Sequence, residues 1–187
     1  MQSTTAREKL EEEIPSVASS LDFAELFREY YSRVYNYLRY RTSSREDAED
    51  LISITFEKAY GHRGQFNAAK ASFSTWIFRI AHNTLVNYYR SRQRHFAWKT
   101  TEALPDDLAM PDASPETQVI QQEMLNSLWQ GLAQLNERDQ EVISLKFAGR
   151  LSNQEIGQVM NLNEKHVSVV LLRAMRRLQK QVKEAAL

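Results

Sequence analysis

Apolar residues recur along most of this chain at alternating three- and four-residue steps, the period of helices that bury one face. Three such patterns fill the first half: Phe23 to about Arg41, Arg45 to Tyr60, and Phe73 to about Arg94. The first sets Phe23, Leu26, Phe27, Tyr30, Val34 and Leu38 on one side; the second sets Ala48, Leu51, Ile52, Phe56 and Ala59. In the third, Phe73, Trp76, Ile77, Ile80, Ala81, Leu85 and Tyr88 share a face that wants a core. Its opposite face collects Arg79, His82, Asn83, Val86, Arg90 and Gln93, and Arg92 and Arg94 extend the positive charge. Such a face suits phosphates and base edges, although solvated arginines on an ordinary amphipathic helix give the same pattern. Asp22 with Glu25 and Ser44 with Asp47 have the spacing of capping pairs for the first two helices. Between the second and third runs Gly61 to Ser72, a polar loop offering Arg63, Gln65, Asn67 and Lys70 as donors. Loops of that length are commonly functional.

The second half predicts a helix from about Val119 to Leu135 and another from Glu137 to Phe147, with Asn136 as its cap. Ser152 and Glu155 form a capping box that opens a short helix, Asn161 to Asn163 makes a tight turn, and Glu164 opens the last helix. This is a helix-turn-helix pattern. Ile156, Val159, Leu162, Val167, Leu171, Ala174 and Leu178 fall where its two helices must pack, while Lys165, Ser168, Val169, Leu172, Arg173 and Arg176 face outward. A solvated helical hairpin shares the periodicity, but the tight turn with a basic outer face favours DNA binding. No β-pattern is convincing. The expected fold is all-α, with two small helical domains, residues 21–98 and 119–187, joined by an acidic flexible linker over 99–118 and preceded by a tail, 1–20.

Composition narrows the chemistry. The 187 residues are 42% apolar with few glycines and prolines, and three of the four prolines lie in the segment Thr101 to Thr117. No span is apolar enough for membrane insertion, and the start MQSTTAREKLEEEIP is acidic where a signal peptide needs positive charge. A cytoplasmic location is expected. With no cysteine there is no thiolate zinc site and no cysteine nucleophile. His62, His82, His95 and His166 form no close pair on one helical face, so neither metal nor cofactor is expected. The net charge is zero, yet residues 23–98 hold twelve basic against seven acidic side chains and 119–187 nine against seven, whereas 1–22 and 99–118 are acidic. A neutral chain with acidic connectors should bind DNA weakly alone, because phosphate neutralisation drives non-specific affinity. A partner is implied.

Two motifs then stand out. DAEDLISITFEKAY, Asp47 to Tyr60, continuing through FSTWIFRIAHNTLVNYYR, resembles region 2 of bacterial RNA polymerase sigma factors of the extracytoplasmic-function group. LNERDQEVISLKFAGRLSNQEIGQVMNLNEKHVSVVLLRAMRRL, Leu135 to Leu178, resembles their region 4, and the likeness covers about residues 23 to 181. It implies a non-catalytic specificity subunit that binds core RNA polymerase and opens promoter DNA without ATP. By this resemblance Asp47, Asp50, Ile54 and Glu57 would dock on a coiled coil of the β′ subunit. Arg63, Gln65, Asn67, Lys70, Arg79, Asn83 and Arg90 would handle the minus-ten element, where a base is flipped into a pocket. Lys165, Ser168, Val169, Leu172, Arg173 and Arg176 would read the minus-thirty-five element, the helix from Glu137 would help dock on the β flap, and the linker would thread toward the RNA exit path. An anti-sigma factor is an expected partner, and no regulatory domain is expected after the last helix.

Departures from the family pattern matter here. Ser53 and Ile54 stand where a glutamine and an acid are common, and basic residues common at Ser168 and Val170 are missing. Each lost bidentate arginine contact removes roughly 1 to 3 kcal/mol of discrimination, so an unusual or weaker upstream element is expected. An ordinary helix-turn-helix repressor or activator accounts for residues 135 to 178 but leaves the first domain without a task. An enzyme with an appended DNA reader finds no glycine-rich phosphate loop, acid-base cluster or nucleophile arrangement to support it.

Overall fold

The computed structural model describes residues 23–42, 44–93 and 127–185. They form α1 (Phe23–Arg41), α2 (Arg45–Gly61), a single 3-10 turn (Arg63–Gln65), α3 (Phe73–Gln93), α4 (127–133), α5 (Glu137–Phe147), α6 (Asn153–Met160) and α7 (Glu164–Ala185). No strand occurs among them. The tail, Asp22, Arg94, His95, the proposed linker and 119–126 lie outside the described residues, as do the side chains of Arg92 and Gln93.

Local chemistry fixes the helix starts. The Ser44 hydroxyl accepts from the Asp47 amide at the start of α2, and the Asn136 side chain accepts from the Asp139 amide at the start of α5. At α6 the capping box is complete: Ser152 Oγ accepts the Glu155 amide while Glu155 accepts the Ser152 amide. Each such cap is worth about 1 kcal/mol. In the α6–α7 turn, Asn161 takes a left-handed conformation with φ 56°. Gly157 is required beneath it, because an added Cβ would lie 2.6 Å from the Leu162 carbonyl oxygen.

The first three helices bury Val34, Leu38, Leu51, Ile52, Phe56, Ala59, Ile77, Ala81 and Leu85, as the periodicity requires. Phe27 departs from expectation. It stands 37% exposed, edge-on to Phe56 at 4.6 Å and beside Tyr31 at 5.2 Å, because among the described residues no element covers the outer side of the first turns of α1. In the second half α5 packs on α7 and α6, around Val142, Leu145, Ile156, Val167, Ala174 and Leu178.

The two units do not stand apart. They share one continuous core, with α3 laid against α6 and α1 against α5. Consequently α3 is buried on a second side: Ser74, Thr75 and Phe78 are all enclosed. Phe78 meets the α5–α6 turn so closely that a Cβ on Gly149 would sit 2.9 Å from its ring.

Candidate functional site

Three exposed surfaces and one buried cluster carry the chemistry. On α2, Asp50, Ile54 and Glu57 are exposed at steps of four and three, which puts them on one helical face. Asp47 shares the stripe but is half-buried, and its carboxylate accepts the Ser44 hydroxyl at 2.7 Å. Ile54, 39% exposed, sits between Asp50 and Glu57, so this face is apolar at its middle and acidic at its edges.

The loop after α2 and the outer face of α3 form the second surface. Gln65, Asn67, Lys70, Asn83 and Arg90 are exposed. Asn67 is partly spent on its own turn, its Oδ1 accepting the Ala69 amide at 2.9 Å. Arg63 lies over the Tyr60 ring, 4.1 Å from its centroid, and donates to the Tyr60 carbonyl. Tyr60, 53% exposed beneath this cation, is a stacking surface that the periodicity does not single out. Arg79 is turned toward the other unit and donates to the Gln158 carbonyl of α6 at 2.7 Å.

The third surface runs along α7, where Lys165, Ser168, Val169, Leu172, Arg173 and Arg176 are exposed on one side. Val169 and Leu172 are 45% and 53% exposed, an apolar strip between cations. Ser168 already donates to the Glu164 carbonyl and accepts from Asn153 Nδ2. Val170 is not on this surface. It is only 8% exposed, because positions 167, 170, 174 and 178 make one core stripe and a residue at 170 must point inward with them.

The buried cluster joins the units. Glu141 Oε1 accepts the Tyr37 hydroxyl at 2.6 Å and His82 Nδ1 at 2.8 Å, the imidazole donating because an ionised carboxylate only accepts. Arg41 Nε lies 3.3 Å from Glu141 Oε2 as an ion pair, its N–H too poorly aligned to count as a hydrogen bond. The other end of that guanidinium donates to Gln140 Oε1. Burial alone would push the Glu141 carboxyl upward, but His82, the Arg41 charge and the Tyr37 hydroxyl outweigh it and hold the group below its ordinary value. Burial, followed by the Glu141 charge, pushes the Tyr37 phenol well up. Nearby, Arg33 makes two bonds to the Gly149 carbonyl, at 2.6 and 3.0 Å, and Tyr40 stacks on Trp129 at 4.5 Å. Glu155 of the capping box also accepts the Ser72 hydroxyl at 3.1 Å.

Sequence reasoning set His82 on the outward polar face and did not anticipate the cluster at all. The signal was present: Arg41 continues the buried 34, 37, 38 stripe of α1, and Glu141 stands beside the apolar Val142, Ile143 and Leu145 of α5. An ionisable residue on a core stripe needs a partner.

The chain matches two family models, described as Sigma-70 region 2 over residues 26–95 and Sigma-70, region 4 over residues 131–180. It is 32% identical to the RNA polymerase sigma factor YlaC of Bacillus subtilis, over 83% of this chain and 89% of that protein. It is also 32% identical to the ECF RNA polymerase sigma factor BldN of Streptomyces coelicolor, over 83% of this chain and 58% of the relative. Its fold superposes on the sigma factor RpoE of Bartonella quintana, solved with the anti-sigma factor NepR. The TM-score is 0.71 at 20% identity, covering 87% of this chain and 97% of that one.

Proposed function

Since the chain belongs to the extracytoplasmic-function group of the sigma-70 family, and so serves promoter-specific transcription initiation by RNA polymerase, we propose how its surfaces divide that work. The α2 stripe of Asp50, Ile54 and Glu57 docks on the β′ coiled coil, its acids meeting basic side chains and Ile54 supplying apolar area. Asp47 contributes mainly by holding the start of α2. The Arg63–Lys70 loop with Asn83 and Arg90 captures an extruded base of the minus-ten element, and Tyr60 under Arg63 offers a face to stack on. Arg79 joins them once its bond to α6 is released.

On α7, Lys165, Arg173 and Arg176 neutralise phosphates of the minus-thirty-five element, while Val169 and Leu172 touch thymine methyls in the major groove. Because Ser168 is occupied locally and Val170 is buried, upstream readout rests on that apolar strip. The units correspond to residues 21–98 and 119–187, with 99–118 as the connector. The chain acts as a non-catalytic subunit in the cytoplasm, where core polymerase is found; no helix among the described residues is long and apolar enough to cross a membrane. An anti-sigma factor is its proposed antagonist, by analogy with the NepR complex of RpoE.

The observation that carries this division is the pairing of the two region matches, in order, with exposed faces of the required chemistry. It is tested by transcription in vitro from fragmented genomic DNA, with purified core polymerase of the same organism and with or without this protein. New RNA starts sharing two upstream motifs are expected. Tight duplex binding by the free protein with no new starts would overturn it.

A further inference from the structure

We infer that Arg150, in the turn between α5 and α6, is a further promoter-binding residue whose guanidinium holds a backbone phosphate of the strand bordering the groove that α7 enters. This rests on the placing of α7 at the minus-thirty-five element proposed above, and it adds to that face a group from outside the recognition helix.

The turn is costly to build with this residue. Arg150 sits at φ 53°, and the other positive φ among the described residues belongs to Asn161. Asparagine tolerates a left-handed backbone because its short side chain can bond locally, whereas arginine adopts it at a cost and glycine is the usual residue where a helix ends this way. The neighbours hold the turn in place. Leu151 is buried and its amide reaches back to the Leu145 carbonyl at 3.1 Å, while a Cβ on Gly149 would lie 2.7 Å from that same oxygen. An arginine kept where glycine would relax the chain is kept for its side chain.

That side chain is exposed and unspent. Arg45, Arg63, Arg79, Arg138 and Arg177 each hold an acceptor on the protein. Among the described residues none is held by Arg150, and Glu155, the nearest acid after it along the chain, already accepts the Ser152 amide and the Ser72 hydroxyl. The fold also puts Arg150 beside the outer stripe of α7. Lys146 donates to Asn153 Oδ1 at 3.0 Å, and Asn153 Nδ2 donates to Ser168 Oγ at 3.0 Å, so the first residue of α6 touches that stripe. Arg150 lies three residues earlier, within roughly 10 Å of chain. When the second helix of such a motif lies in the major groove, the first crosses the sugar-phosphate backbone. A planar, permanent cation there meets phosphate oxygens in a paired geometry. It adds affinity without sequence preference, where base readout is thin because Ser168 is occupied locally and Val170 is buried.

The test uses the full chain with core polymerase and an end-labelled promoter fragment taken from the mapped starts, with anisotropy followed from about 50 to 200 mM salt. One phosphate contact carries a slope of about 0.9 in log K against log salt, which is roughly eightfold per decade of salt below 1 M. Arg150→Gly should lose about that much affinity at 0.1 M salt, equally for fragments with altered upstream sequence, and its slope should flatten by about 0.9. Its urea midpoint should rise, the folding constant gaining roughly two- to tenfold as the strain is released. Arg150→Gln, which keeps the strained backbone and removes only the charge, should lose the same affinity with its urea midpoint unchanged. Arg150→Lys should keep the slope, and Arg28→Ala, an equal loss of charge on the exposed side of α1, should bind as wild type.

Unchanged affinity and slope in Arg150→Gly and Arg150→Gln, a loss confined to particular upstream sequences, or a less stable Arg150→Gly chain overturns the proposal. If the wild-type holoenzyme protects no upstream element in footprinting, the placing of α7 fails and this contact with it; protection by wild type with both variants unaffected removes this contact alone.

Discussion

Replacing Tyr37 by phenylalanine removes one oxygen from the centre of the molecule and almost nothing else. The ring keeps its edge-on contact with Phe78 at 5.7 Å, so packing is conserved and the effect belongs to the hydroxyl. That hydroxyl donates to Glu141 Oε1 at 2.6 Å, and Tyr37 and Glu141 are 0% and 5% exposed, so water cannot take its place. Hydrogen bonds to charged groups contribute about 1.5 to 3 kcal/mol. Tyr37 lies on α1 and Glu141 on α5, so the loss falls on the contact between units and not on either bundle alone. It should therefore appear as a roughly ten- to 150-fold loss in the folding equilibrium constant. The assay is urea unfolding, with Tyr31→Phe, on the exposed side of α1, as a control expected within about 0.5 kcal/mol. In the background of Glu141→Gln the Tyr37→Phe effect should shrink, because the charged acceptor is gone. A Tyr37→Phe chain with an unchanged urea midpoint would refute the reasoning that this bond holds the units together.

Acid should weaken the contact between the units. Glu141 and Glu155 are held below their ordinary pKa of 4.5, in each case against burial, by the donors around them. A depressed carboxylate contributes stability that is present above its unfolded pKa and is lost as pH falls through the folded value. The loss therefore sets in below pH 4.5, and the fall of the urea midpoint there should be smaller in Glu141→Gln. Gly157→Ala should weaken the α6–α7 turn and upstream-element protection in footprinting of the polymerase complex, because its Cβ would meet the Leu162 carbonyl at 2.6 Å; minus-ten protection should persist. Asp50→Ala should reduce co-purification with core polymerase and Arg90→Ala should reduce permanganate-detected promoter opening, with thermal unfolding of both close to wild type because both side chains are exposed. Loss of fold in Asp50→Ala with core binding intact would show that the α2 face is wrongly placed.

Periodicity and caps alone determined the helices and most of their faces. The bounds of α1 and α5, the Ser44, Asn136 and Ser152 caps and the left-handed turn at Asn161 follow from interactions within a few residues, so they are legible in order along the chain. Val170 was misread: its spacing from Val167 and Ala174 directs it inward, although the family resemblance had set it among the upstream-element positions. The candidate surfaces on α2 and α7 were legible for the same reason, as whatever the core stripes leave outside.

Only the tertiary structure decided which outer face meets another. A hydrophobic period reports that a stripe is buried, not what buries it. Hence Ser74, Phe78 and His82, opposite or beside the first core of α3, could not be assigned until α6, the Gly149 turn and Glu141 of α5 were laid on them. Tyr37 and Glu141 are 104 residues apart, and neither acquires its role without the other. Pairing across such a separation depends on how the two units are set together, a degree of freedom that no local pattern encodes.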